Sequence, residues 1–365
     1  MLIELFGGKH MRIIVNDIAA SPGGALSVLK SFYKYLTESD IAKEHEWIFL
    51  LSDRYIEERD NIKLLILDDI KKSWFNRLKF DLFVGKNFIS KLNPDVVFSL
   101  QNTITFGINC PQAIYMHQSI PFQKIKRFSF FKQEERLLAI YQYIIGSIIK
   151  SSIRKADMII VQTQWIRDAV IEFTGIDIGK TINIFPNIED YSDFMNDEQF
   201  DRHRFFYPAS KHLYKNHQCI YDACDILMNR GVDDFNIELT IVDEIYRPNI
   251  ITLGELSFET VIKRYNMSTL IFPSYLETVG LPLIEARQMG TIILASDCPF
   301  SKEALEGYGN AYFFNPFKPQ ELADLMEKVL LGKIIRKPIY QGNKALINGW
   351  ETVINNLISF ASKGN

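Results

Sequence analysis

The sequence is short of cysteine. Four thiols in 365 residues (Cys110, Cys219, Cys224, Cys298) are too few and too scattered for a disulfide framework, and none forms a close pair with metal-ligand spacing. They read as buried thiols of a reducing cytoplasm. Charge of one sign is lacking too: 41 Lys+Arg against 44 Asp+Glu leave a net charge of -3, so no global field draws in nucleic acid. Long apolar runs are missing. The longest, Leu137 to Ile149, is interrupted by Gln142 and falls short of the roughly 18 residues expected of a spanning helix. The first ten residues carry neither a basic start nor an apolar core, so they do not read as a secretory signal, and Met11 is an alternative start. His10, His45, His203, His212 and His217 show no ligand spacing on a predicted helix, which argues against a zinc site.

What is present is a folded-protein composition, 47% hydrophobic and 23% charged, long enough for two domains. Charge is distributed unevenly. Residues 1 to 188 hold 24 Lys+Arg and 20 Asp+Glu, a balance of +4, which leaves 17 and 24, or -7, for the rest.

Short β-rich runs alternate with segments of helical period, the pattern of a parallel sheet covered on both faces. Strands are predicted at 12–16, 47–52, 63–67, 95–100, 112–116, 157–162 and 182–185. Between the first two, Ala25, Val28, Leu29, Phe32 and Leu36 share one helix face. An acidic, aperiodic stretch at 187–204 suits a linker. A second set follows, with strands at 205–207, 237–242, 250–253, 270–272 and 291–295 and helices starting near Asn216, Ser257, Pro282 and Pro319. A last helix, 345–361, returns to the first domain. The domains are therefore 1–188 with 345–365, and 189–344.

The stretch LIFPSYLETVGLPLIEARQMGTIILAS, 270–296, concentrates the chemistry. A strand runs into a loop, Gly280-Leu281-Pro282 opens a short helix and Gly290 closes it. Backbone N–H groups at Thr278, Val279, Gly280 and Leu281 then suit a diphosphate. Glu277 and Glu285, with seven residues between them, flank that anion site, and carboxylates accept bonds from sugar or ribose hydroxyls. On spacing alone, Glu285 serving the helix dipole and Glu277 being solvated loop is an equal alternative.

That stretch, PSYLETVGLPLIEARQMG, resembles the glutamate-x7-glutamate element of retaining GT-B glycosyltransferases, the "glycosyl transferases group 1" (family 4-like) enzymes. The segments IITLGELSFETVIKRYNMSTLIFPS and ASDCPFSKEALEGYGNAYFFNPFKPQELA are similar to what brackets it, and Trp350 stands where the family's crossover helix begins. The resemblance implies two doubly wound Rossmann-like α/β domains with a cleft between them and a C-terminal crossover helix. It implies a sugar moved with retention, without metal or cofactor, from a nucleotide-sugar donor such as a UDP- or GDP-sugar. Glu277 would hold the donor sugar's hydroxyls, Glu285 the ribose, and the backbone near Gly254 the base. Of the family's arginine and lysine five residues apart, Lys215 supplies the lysine; the arginine position falls on Ser210, with Lys211 as the substitute cation. Gly23 and Gly24 form a glycine turn that lacks the G-x-G-x-x-G spacing, and in the family this loop reaches donor phosphate and acceptor. His117 would hydrogen-bond the donor sugar. Gln101 and Asn102, which end another strand, are candidates for the acceptor side, and a polar turn explains them equally well.

Between Lys71 and Arg136 lie 11 Lys+Arg against 4 Asp+Glu, interleaved with aromatics. Trp74, Phe75, Phe128 and Phe131, with Lys124, Lys126 and Arg127, are predicted to rest on an anionic membrane surface; aromatics in the core with a solvated basic face is the competing reading. The expected role is a cytoplasmic or peripheral glycosyltransferase acting on a glycan or lipid-linked saccharide in bacterial surface polysaccharide synthesis, without nucleic acid. Two rival readings remain: another GT-B enzyme, an epimerase or phosphorylase, or a non-catalytic member that binds a glycan or partner.

Overall fold

The computed structural model describes residues 10–21, 23–186, 190–191, 194, 200–242, 247–338 and 349–363. Residues 1–9, much of the linker and the residues at 345–348 lie outside that set. The chain divides into two units: residues 1–122, 138–187 and 347–365, and residues 123–137 with 188–346.

The first unit is built on seven parallel strands: β1 (Arg12–Asp17), β2 (Glu46–Leu51), β3 (Ile62–Ile66), β4 (Val96–Ser99), β5 (Gln112–Met116), β6 (Met158–Val161) and β7 (Thr181–Asn183). Their order is β3-β2-β1-β4-β5-β6-β7. The central strands are buried on both faces, which is why they read as near-continuous apolar runs. The helix Gly24–Glu38 buries Leu29, Phe32 and Leu36, three of the five residues whose spacing marked its inner face. The helix Gly349–Lys363 completes this core with Trp350, Val353, Ile354 and Leu357. Trp350 lies against Phe32 and Tyr115, and its indole N–H donates to Ser31 Oγ at 2.8 Å.

The second unit has six parallel strands: β8 (Arg204–Tyr207), β9 (Asn236–Leu239), β10 (Ile250–Thr252), β11 (Thr269–Phe272), β12 (Ile293–Ser296) and β13 (Ala311–Phe314), in the order β10-β9-β8-β11-β12-β13. Helices begin at His217, Phe258, Leu281 and Pro319, each within one residue of its sequence signal. β13 has no counterpart among the predicted strands. It is an edge strand, three of whose four residues keep solvent contact, so its apolar signal is weak.

Both sheets are doubly wound, as the sequence indicates. Each has a switch point where the strand order reverses, between β1 and β4 and between β8 and β11, and ligands of such sheets bind at the carboxyl ends there. Gln123–Leu137, placed by sequence in the first domain, lies with the second unit. Lys126 explains why: its ammonium sits over the rings of Phe128 and Tyr275 and pairs with the buried Glu135 at 3.0 Å. The apolar run 137–149 is broken into α and π turns, and no helix among the described residues is long and apolar enough to cross a membrane.

Candidate active site

In the second unit two loops leave the switch-point strands and are stitched together. After β8, Asn216 takes a left-handed conformation, φ 59°, and its side-chain amide donates to the carbonyls of Pro273 and Pro316 at 3.2 and 2.7 Å. After β11, the Tyr275 N–H donates to the Tyr214 carbonyl at 3.1 Å. Buried Tyr207 fixes the backbone of Lys215 by donating to its carbonyl at 2.9 Å.

This stitching brings together the lysine and first glutamate singled out by sequence. Lys215 Nζ donates to Glu277 Oε1 at 2.6 Å, with both side chains mostly sheltered, and Ser274 Oγ donates to the same oxygen at 2.7 Å. Glu277 is therefore an oriented carboxylate, and its second oxygen is the one left to face a ligand. Ser274 had no sequence signal of its own; only its position three residues before Glu277 shows its use.

Gly280 enters the helix Leu281–Gln288 at φ 76°, and a Cβ there would come within 3.2 Å of Leu283 and 3.3 Å of Phe300. Only glycine fits both the backbone and the packing. No side chain caps that helix end and its first turn holds no acid, so its amide dipoles are not neutralised by the protein. Val279 is buried, Thr278 half-buried and Leu281 exposed. One turn on, Glu285 is largely buried, and burial pushes its carboxyl up to about 7 although Tyr265 donates to it at 3.0 Å. Tyr265, from the helix Phe258–Met267, was not identified by sequence: a tyrosine 20 residues upstream gives no local hint of its partner.

Gly254 adopts φ 70° beside Val242, whose side chain is 76% exposed, an apolar surface next to open backbone. Ser210 and Lys211 are both exposed in the loop after β8.

In the first unit, His117 follows β5. Its Nε2 donates to the Leu100 carbonyl at 2.6 Å, and its backbone N–H donates to Asn102 Oδ1 at 2.9 Å. Burial, first, holds this imidazole below its ordinary range, with Arg77 acting the same way, and both shifts favour the neutral ring. Asn102, itself at φ 65°, is occupied in bracing His117, and buried Gln101 turns inward to Asp81 and Thr103. A Cβ added at Gly23 or Gly24 would meet nothing within 4 Å.

The aromatic prediction needs one correction. Phe128 is 3% exposed, packed under Lys126, so it does not enter a membrane interface. Phe131 at 96% and Phe75 at 73% are exposed, as is Trp74, while Phe83, unnoticed in the sequence, is 72% exposed. Lys124 and Arg127 are exposed, and Lys126 is half-buried in its ion pair. Among the described residues, no group of three or more His, Cys, Asp and Glu is placed to hold a metal.

Two Rossmann-like parallel sheets, the second with a lysine–glutamate pair and an uncapped helix end at its switch point, give the chain the fold of GT-B glycosyltransferases. Residues 203–345 match the family model described as "Glycosyl transferases group 1". The chain is 22% identical over 288 residues to an O-antigen chain mannosyltransferase, RfbU, of Salmonella typhimurium, covering 72% of this chain and 80% of that one. It is 23% identical over 320 residues to an N,N'-diacetylbacillosaminyl-diphospho-undecaprenol alpha-1,3-N-acetylgalactosaminyltransferase of Campylobacter jejuni, covering 79% and 82%. Among solved structures, the fold is similar to Alr3699/HepE of Anabaena in complex with UDP and glucose, with a TM-score of 0.59 at 13% identity, covering 97% and 98% of the two chains.

Proposed function

We propose that this glycosyltransferase uses a nucleotide-sugar donor bound in the second unit and transfers the sugar, with retention, to a saccharide acceptor of bacterial surface polysaccharide synthesis. The single observation that carries this reading is the Lys215–Glu277 pair beside the uncapped helix end after Gly280. A diphosphate placed there meets a cation and helix amides, and developing negative charge on the leaving group is stabilised in place. Glu277 would hold the donor sugar's hydroxyls and Glu285 the ribose; Gly254 and Val242 would face the base. The cation at the proposed site is Lys215, with Lys211 in the exposed loop after β8 as the second candidate, beside the backbone dipoles of the helix end. The O-antigen and undecaprenol-linked substrates in the names of the relatives support a glycan or lipid-linked acceptor.

A thermal-shift screen against UDP, GDP, ADP and CDP tests the donor half. A ligand that binds the native form at 100 times its Kd adds about 2.7 kcal/mol, so one nucleotide should raise the midpoint well above the others. No shift with any of them overturns the reading.

We further propose that the protein works at the inner membrane surface. Its support is the set of exposed aromatics, Trp74, Phe75 and Phe83, among Lys72, Lys79 and Lys86. The double variant Phe75→Ser, Phe83→Ser is expected to bind phosphatidylglycerol vesicles roughly tenfold less well in a sedimentation assay, on the order of 1.4 kcal/mol. Equal binding by the variant removes this surface as the anchor.

A further inference from the structure

The helices Phe258–Met267 and Leu281–Gln288 carry the two members of a buried pair, Tyr265 and Glu285, and a third segment of the second unit fastens both helices. That segment follows the helix Pro319–Leu330. It is laid against Asn310, which is 2% exposed: the Lys337 N–H donates to Asn310 Oδ1 at 2.8 Å, and Asn310 Nδ2 donates back to the Lys337 carbonyl at 3.0 Å. Arg336, one residue earlier, is thereby held at the C-terminal ends of the two helices.

Arg336 makes four hydrogen bonds there. Its Nε donates to the Gly290 carbonyl at 2.9 Å and its Nη2 to the Met289 carbonyl, both at the close of the helix Leu281–Gln288. Its Nη1 donates to the Asn266 carbonyl at 3.0 Å and its Nη2 to Asn266 Oδ1 at 3.1 Å, in the last turn of the helix Phe258–Met267. The guanidinium also lies 5.9 Å from the Phe200 ring centroid. Each anchor is next to one member of the pair. Asn266 follows Tyr265 in the chain, and the Met289 N–H donates to the Glu285 carbonyl at 3.2 Å. Thr291 adds a further tie, its Oγ1 donating to the Tyr265 carbonyl at 2.6 Å.

A cation near a helix C-terminus is ordinarily explained by the dipole, and contact with one carbonyl suffices for that. Arg336 does more. It is half-buried, and desolvation holds its guanidinium below the ordinary range, whereas a cation serving only the dipole could stay in water. Its planar fork reaches acceptors on two helices at once, which the point charge of a lysine cannot copy. Glu285 depends on that arrangement. Its hydrogen bond comes from Tyr265 on the facing helix, so the direction of the carboxylate follows the register of one helix against the other. A shift of about 1 Å in that register is enough to misplace a hydrogen bond to a ligand hydroxyl.

We propose that Arg336 is a positioning residue for the donor site: by clasping the two helix ends it sets the Tyr265–Glu285 pair, and through that pair the selectivity for a ribose-bearing nucleotide. This rests on the reading that Glu285 holds the ribose. Arg336 acts through Glu285.

The test compares UDP and GDP with their 2′,3′-dideoxy counterparts by isothermal titration of the full chain at pH 8, above the value of about 7 to which burial raises Glu285. The native protein is expected to prefer one ribonucleotide over its dideoxy form by roughly tenfold or more, and Glu285→Ala to abolish that preference. In Arg336→Gln and Arg336→Lys the preference should fall to roughly threefold or less, while affinity for the dideoxy form stays within about twofold of native. A merely structural arginine would lower both affinities together. Should Arg336→Gln fail to fold, Arg336→Lys, which keeps the charge, decides alone. A preference retained by the Arg336 variants or restored by lysine, or ribose and dideoxy affinities that fall in parallel, overturns the proposal and leaves the Glu285 reading standing. A native protein without ribose preference, or a preference that survives Glu285→Ala, removes that reading and the proposal with it.

Discussion

Glu277→Ala and Lys215→Ala are each expected to lower sugar transfer at least tenfold, about 1.4 kcal/mol or more in barrier, with the larger loss in kcat. The structure adds an asymmetry to that result. Each side chain is mostly sheltered and the two share one 2.6 Å bond, so removing either leaves the other without its partner. Glu277→Ala leaves Lys215 free to turn toward a diphosphate, so nucleotide affinity is expected to hold or rise while transfer falls. Lys215→Ala leaves Glu277 with Ser274 alone and an unbalanced charge beside the anion, so both nucleotide affinity and transfer should fall. The double variant should lose less than the sum of the two, as contacting residues do. Steady-state kinetics with nucleotide titrations checks this, and additive losses in the double variant, or unchanged transfer in both single variants, would dissolve the proposed centre.

The second large effect is on pH. Burial raises Glu285 from 4.5 to about 7, so between those values the folded protein binds more protons than the unfolded chain. Its contribution is fully present below about pH 4.5 and is lost as pH rises through about 7, an upper figure of about 3 kcal/mol. Asp17, raised by burial to about 7 against the opposing charges of Arg77 and Lys71, acts in the same direction. The ligand-free protein should therefore melt at a lower temperature at pH 8 than these two groups allow at pH 5, and Glu285→Gln should flatten that dependence. Nucleotide binding should run the other way. An ionised Glu285 accepts ribose hydroxyls better than a neutral one, so affinity should rise through pH 7 in the native protein and stay level in Glu285→Gln. A native affinity indifferent to pH would separate Glu285 from the ribose.

Much of this was legible in the sequence for a physical reason. Strands buried on both faces advertise themselves as apolar runs, and helix ends carry their own caps, as with Ser257, which accepts from the Thr260 N–H, and the pre-helical Gly280. Glu277, Lys215 and Glu285 could be singled out because the segments that follow parallel strands are local and a motif can be read along them; the structure brings Lys215 and Glu277 together. What sequence missed is what assembles across distance. Arg77 donates to the Gln101 carbonyl from a helix 24 residues upstream, and only the fold brings the two together. Tyr265 meets Glu285 across two helices. Phe128 and Phe131 look equivalent in FQKIKRFSFFKQ, yet one is under a lysine and the other in solvent; composition does not distinguish them.

The helix that begins at Gly349 has a bearing on how the chain is made. Its Trp350, Val353, Ile354 and Leu357 fill the core of the unit whose β1 starts at Arg12. A ribosome therefore releases the opening half of the molecule with a hole in its interior, which stays unfilled through the synthesis of more than 150 intervening residues. The middle of the polypeptide can mature during translation, whereas the earliest-made portion must wait, greasy face uncovered, until the tail emerges.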